Sequence, residues 1–216
     1  MGIKNHAKKI AATTGIVVAA LAFSTAGVAS AAPQSVTAQA DLDGNGTLDN
    51  VSLSLTSPTM SVLEANISGQ VVRANLATDV YTGVQPLRVT DVNADGKAEL
   101  VVTGSVGANT ISMSLFDFDG QVLRGVSTPD HRGISLYEGG GISTRNGYTC
   151  EPSRRGKVLV TYTALQDDNW GGPVTYSGTR ESYLVRNGVA TLSARSSFTG
   201  VSQTSAWLKG NPAACA

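Results

Sequence analysis

Residues 41–49 read DLDGNGTLD, and residues 91–99 read DVNADGKAE. Counted from its own start, each stretch has an acid or amide at positions 1, 3 and 5, a glycine at 6 and a carboxylate at 9. The first supplies Asp41, Asp43, Asn45, Gly46 and Asp49; the second supplies Asp91, Asn93, Asp95, Gly96 and Glu99. A hard cation such as calcium takes about 6–8 oxygen ligands. A loop wound around the ion can aim alternate side chains inward, and glycine at the sixth position permits the sharp turn. Position 7, Thr47 or Lys97, can turn its side chain away and offer its carbonyl oxygen. All the donors are oxygens, with none of the His or Cys that softer metals prefer. Each stretch also gathers three carboxylates, which repel one another unless a cation lies between them. The competing reading is an Asp/Gly-rich turn without metal, because Asp and Asn readily cap their own backbone.

The pattern is not that of an EF-hand, which closes its site with a bidentate Glu at position 12 between two helices. Here position 12 is Ser52 or Val102, and each stretch runs into a strand. Val51, Leu53 and Leu55 alternate with Ser52 and Ser54; Ile111, Met113 and Leu115 alternate with Ser112 and Ser114. Alternation of period two marks half-buried strands. With no stretch of helical period after the first thirty or so residues, the expected class is all-β.

The two stretches also head internal repeats. Ser68-Gly69 follows the first strand region and Asp119-Gly120 the second, each a tight-turn signal between apolar runs. A third, more diverged unit begins at Glu151. It runs through Gly156-Lys157 into the strand Val158–Tyr162 and turns at Asn187-Gly188. Its spacing is stretched by the turn-rich insertion Gln166–Pro173, and a further insertion near Ile134–Gly141 separates the second unit from the third. The third loop carries Arg155 at position 5. The expectation there is no metal, with the Arg155 cation pairing with Glu151 in its place.

The pattern D-x-[DN]-x-[DN]-G-x-x-[DE] leading straight into an apolar strand resembles the FG-GAP/VCBS family of β-propeller repeats. The resemblance covers the two loops and, through spacing, most of residues 35–198. It implies three blade-like antiparallel repeats, a partial propeller or alternatively an irregular β-sandwich, with structural calcium at two sites. Carried over by position, the ligands are Asp41, Asp43, Asn45, Thr47 and Asp49, then Asp91, Asn93, Asp95, Lys97 and Glu99. The chain lacks the Phe-Gly and Gly-Ala-Pro signatures, which places it nearer the VCBS side. Three repeats are fewer than the four or more blades of a closed propeller.

The first residues read as a secretory signal peptide, residues 1–31: Lys4, Lys8 and Lys9, a short apolar core, then small residues ending Ala29-Ser30-Ala31. That core is short for a membrane span of about 20 residues. Beyond residue 31 stand thirteen Lys/Arg and all sixteen Asp/Glu, a net charge of −3. That mildly acidic balance, without a basic stripe, argues against nucleic acid. Cys150 and Cys215 are the two cysteines, and in an exported chain they are expected to form a disulfide latching a tail, residues 199–216. The expected location is extracellular.

A catalytic reading finds little purchase. His131 is the one histidine after the signal segment, and neither G-x-S-x-G nor H-E-x-x-H occurs. A carboxylate-dependent glycan hydrolase could draw on Glu138, Asp167, Asp168 or Glu181. The insertion Asp167-Asp168-Asn169-Trp170 is a possible ligand loop, since an exposed Trp beside Asp and Asn can stack on a sugar or peptide. The expectation is therefore a non-catalytic binding or structural module with an extracellular glycan or protein partner. An unpaired sheet edge would also permit self-association.

Overall fold

The computed structural model describes residues 34–79 and 83–216; the expected signal segment lies outside them. The described residues are all-β, with thirteen strands and two 3₁₀ turns, Ala206–Leu208 and Pro212–Cys215. No helix among them is long and apolar enough to cross a membrane.

β1 (Ser35–Ala40), β2 (Asp49–Ser57), β3 (Met60–Ile67) and β4 (Gln70–Ala77) form a four-stranded antiparallel sheet in chain order. A second meander follows: β5 (Arg88–Thr90), β6 (Glu99–Val106), β7 (Thr110–Phe118) and the short β8 (Leu123–Gly125). The third contains β10 (Thr144–Ser153), β11 (Gly156–Gln166), β12 (Thr175–Arg186) and β13 (Val189–Ser202). The two DxD-type stretches join the first strand to the second in the first two meanders, and the Gly156 turn does so in the third. Ser68-Gly69, Asp119-Gly120 and Asn187-Gly188 all join a third strand to a fourth. Ser68 and Asn187 have φ of 50° and 47°, followed by positive-φ glycines, as a two-residue hairpin turn twisted with its strands requires.

The expected separate repeats are modified by the insertion before Gly141. It forms β9 (Ser135–Gly139), which lies beside β8 on the same edge of β7: β8 takes Phe116–Phe118 and β9 takes Thr110–Ser114. β9 then meets β10 at the single pair Gly139–Asn146. The second and third meanders are thereby one nine-stranded sheet, and the strands close neither a barrel nor a propeller.

Packing follows from alternation. Val51, Leu53, Leu63, Ala65, Val72 and Leu76 face Leu100, Val102, Phe116 and Phe118 in one core. Val101, Met113 and Leu115 point the other way, into a second core with Leu136, Tyr148, Leu159, Val185 and Ala190. The continuous apolar run Leu100-Val101-Val102 thus has both faces buried, as such runs do in interior strands. A third cluster, Tyr162, Ala164, Tyr176, Phe198 and Leu208, lies over the far side of the third meander.

The tail closes this last face. β13 carries residues 199–202, and Trp207 beyond it stacks on Phe198 with ring centroids 5.3 Å apart. Cys150 and Cys215 are disulfide-bonded, and Asn211 pairs with Thr149 as a parallel bridge. The disulfide joins positions 65 residues apart. Replacing both cysteines, Cys150→Ser with Cys215→Ser, is expected to lower stability by about 4 kcal/mol through the entropy returned to the unfolded chain. Urea unfolding measures the loss, and an unchanged midpoint would show that the tail is held by its other contacts alone.

Candidate metal centre

The two loops share most of their internal hydrogen bonds, position for position. At position 1, Asp41 accepts the N–H groups of Gly44, Asn45 and Gly46 at 2.8, 3.0 and 2.7 Å. Asp91 accepts those of Asp95 and Gly96, each at 3.2 Å. At position 3, Asp43 and Asn93 each accept the N–H of position 5, at 3.1 and 2.8 Å. At position 5, Asn45 and Asp95 accept the N–H of position 7, at 2.7 and 2.9 Å. At position 9, Asp49 and Glu99 reach back to the N–H of position 2, at 3.0 and 2.8 Å. Gly46 and Gly96 have φ of 82° and 85°, the left-handed conformation that makes glycine the default at position 6.

Two features of these loops were not anticipated. Position 2 is an apolar plug: Leu42 and Val92 are both fully buried, one in each of the first two cores. Position 4 is also left-handed, with φ of 76° at Gly44 and 58° at Ala94. The apolar residue between two acids was the available signal for the plug. Ala94, a non-glycine in that conformation, gives no such signal.

The loops differ in how closely their acids gather. One oxygen each from Asp41, Asp43 and Asp49 lies within 4.8 Å of the others. Two ligands of one calcium at about 2.3–2.6 Å can stand no further apart than roughly twice that distance, and these three oxygens are near enough to meet that limit. Among the described residues, Asp91, Asp95 and Glu99 form no such group. The Asn93 amide stands between them, donating to Asp95 at 3.1 Å, to Glu99 at 3.1 Å and to the Val185 carbonyl at 3.3 Å. A cation there needs the oxygen side of Asn93, so the amide must turn. Glu99 is buried, and its carboxyl is pushed up to about 8, first by desolvation and then by the nearby Asp117, Asp95 and Asp91. Asp117, buried beneath the second loop's strand, is likewise raised by burial, and it accepts the N–H of Gly188 from the third meander.

The loops touch in file. Asp41 O accepts the Ala98 N–H at 2.7 Å, and the Lys97 side chain lies against Gly44. Asn93 O accepts the Lys157 N–H at 3.0 Å, and Asp91 N–H donates to Cys215 O at 2.7 Å.

The third loop differs from its expectation. Glu151 and Ser153 belong to β10, so the turn shrinks to Arg154-Arg155. Glu151 pairs with Arg180 of β12, not with Arg155, which makes no ion pair among the described residues. The reason is reach across the sheet: Arg180 stands two strands away, directly opposite Tyr162, and its guanidinium extends over β11.

The other sequence-flagged residues are dispersed. Asp167 accepts the Thr175 hydroxyl at 2.7 Å, and its carboxyl is lowered by hydrogen bonds from Ser177 and Thr175. Asn169 donates to the same hydroxyl at 3.2 Å, and Trp170 is fully exposed at the tip of the β11–β12 loop. Glu138 pairs with Arg88, and Glu181 with Arg195. His131 sits in an exposed turn with φ of 63°. No protein-family model, curated protein or solved structure matches the chain.

Two outcomes are expected. Gly156 has φ of 108°, and a Cβ there would stand 2.2 Å from Asn93 O. Gly156→Ala should cost about 2–3 kcal/mol by forcing the third turn off the second loop, read as a lowered urea midpoint; wild-type stability would show that the contact yields freely. The second outcome concerns pH. Because the folded carboxyl of Glu99 titrates near 8 against an ordinary 4.5, the folded state holds a proton that the unfolded chain releases. That contribution is complete below about 4.5 and lost as pH rises through about 8. In chelator, wild type should lose stability over this window relative to Glu99→Gln, and parallel pH profiles would refute the assignment.

Proposed function

We propose that the chain is a secreted, calcium-braced β-repeat protein acting as a non-catalytic binding or structural module. The observation that carries the reading is the shared hydrogen-bond plan of the two loops, with the oxygens of Asp41, Asp43 and Asp49 drawn together at the first. Asp41, Asp43, Asn45, Thr47 and Asp49 would hold one calcium; Asp91, Asn93, Asp95, Lys97 and Glu99 would hold the other. The ion's part is structural: it neutralises carboxylates that otherwise lean on amide N–H groups, and it fixes the entry into β2 and β6. The disulfide supports an oxidising compartment. The three meanders support the likeness to propeller blades as individual units, with their loops and hairpins at equivalent places.

Calcium that binds only the folded loops adds stability by linkage. With dissociation constants of about 10⁻⁴–10⁻³ M, as for extracellular modules, ~10 mM calcium contributes about 1.5–3 kcal/mol per site. Thermal unfolding of the purified protein in chelator and then in calcium should show a raised midpoint. Asp43→Ala should remove more of the rise than Asp95→Ala, because the first loop's acids are already gathered. The combined variant should remove all of it. No rise, with no ion found by elemental analysis, would reduce the loops to capped turns.

A further inference from the structure

A groove of about 340 Å³ lies beside the third meander, away from the two loops. One wall is the segment carrying Arg132, Ser135 and Tyr137. The other is the sheet face carrying Thr161, Glu181 and Arg195, which stand opposite one another across β11, β12 and β13. Since β9 pairs with β10 at Gly139–Asn146 alone, the two strands part there and leave the space between these walls open.

We propose that this groove binds a neutral saccharide of one or two rings. Charge is the first argument. Glu181 accepts from Arg195 Nε at 2.6 Å through one oxygen and from the Tyr183 hydroxyl through the other. Across the groove, Arg132 Nε donates to Asp130 at 2.7 Å. Each cation already has its own acid. An anionic ligand would be brought against the Glu181 carboxylate that lines the groove, and a cationic one would meet two guanidinium groups. A neutral ligand disturbs neither pair and can use the remaining guanidinium N–H donors.

The uncharged lining is the second argument. Ser135 and Thr161 place hydroxyls on opposite walls, and Tyr137, 40 % exposed, adds an aromatic ring. An apolar ligand would bury those hydroxyls unpaired, at about 1–3 kcal/mol each. A sugar satisfies them with its own hydroxyls and offers C–H faces to the ring. Tyr183 supports the arrangement: burial and the neighbouring Glu181 carboxylate push its phenol up to about 12, so it remains a protonated donor that holds Glu181 in place. The volume is at the small end of the range for small-molecule sites, about 300–1,000 Å³, which limits the ligand to a short saccharide. An extended peptide added to the open edge of β9 is the rival occupant. The inference uses no residue of the two loops and holds whether or not they take calcium.

Saturation-transfer NMR on the purified protein tests it, with millimolar glucose, galactose, mannose, N-acetylglucosamine and their 1,4-linked disaccharides as probes. Transfer to at least one sugar is expected, lost in Tyr137→Ala and in Thr161→Val but retained in Trp170→Ala. These variants lie on opposite walls, so one serves if the other fails to fold. Transfer to none of the sugars overturns the proposal. So does transfer that survives both groove variants, or that Trp170→Ala abolishes. Transfer to a tetra-alanine peptide and to no sugar would give the groove to a peptide strand instead.

Discussion

The two-sided burial of β6 and β7 is the constraint on which the rest of this protein depends. Leu100, Val102, Phe116 and Phe118 supply one core, and Val101, Met113 and Leu115 supply the other. The first sheet and the third meander therefore pack on opposite faces of the same hairpin. A loop that feeds β6 must then lie between neighbours on both sides. The second loop does: Ala98 meets Asp41, while Asn93 meets Lys157 and Val185. Its Glu99 is buried, as is Asp49 at the same position of the first loop, and burial is the largest cause of the raised Glu99 carboxyl. The first loop feeds the outer sheet and has a neighbour on one side only. Its Asp43 is partly exposed where Asn93 of the second loop is buried, and its acids lie close together.

That contrast explains how one nine-residue pattern can give two unlike sites. Backbone capping within each loop spans two to seven residues and differs only in the extra bond from Gly44 to Asp41 in the first. The bonds at positions 1, 3 and 5 are set by local chemistry, since Asx side chains readily bond N–H groups just ahead of them. The disposition of the carboxylates toward one another is set by packing. Asn93 faces Val185, a strand end far along the chain, and its amide satisfies that carbonyl as well as two acids. Asn45 has no such buried partner and bonds instead to Ser68 and Asp43 at the surface.

The same division governs what could be read from the sequence. The loops, the hairpins at Ser68-Gly69 and Asn187-Gly188, and the alternating strands are local patterns and were legible. So was the Cys150–Cys215 bond, because two cysteines in a chain expected to be exported have one partner each. The partner of Glu151 was not legible. Arg155 is near in sequence, but antiparallel pairing of β11 with β12 brings Arg180 within reach. Nor was β9: an insertion shows as extra length, and length does not say that the added residues share an edge of β7 with β8. The groove beside β9 is a product of that placement, so its walls come from segments with no common motif.

The chain end meets the third meander close to its short first turn. Where the first two meanders place an acid-rich stretch, the third has the tight turn Arg154-Arg155, with no gathered carboxylates to hold an ion. Residues from the chain end meet its neighbourhood instead. Lys157 Nζ donates to Ala216 O at 2.8 Å, and Asp91 N–H donates to Cys215 O. The disulfide fixes Cys215 beside β10, so a covalent link positions the carbonyl that meets the start of the second loop. A cation could brace the first two entries electrostatically, but a two-residue turn has no room to enclose one. A cross-link needs no cavity, because it acts by restricting the unfolded chain.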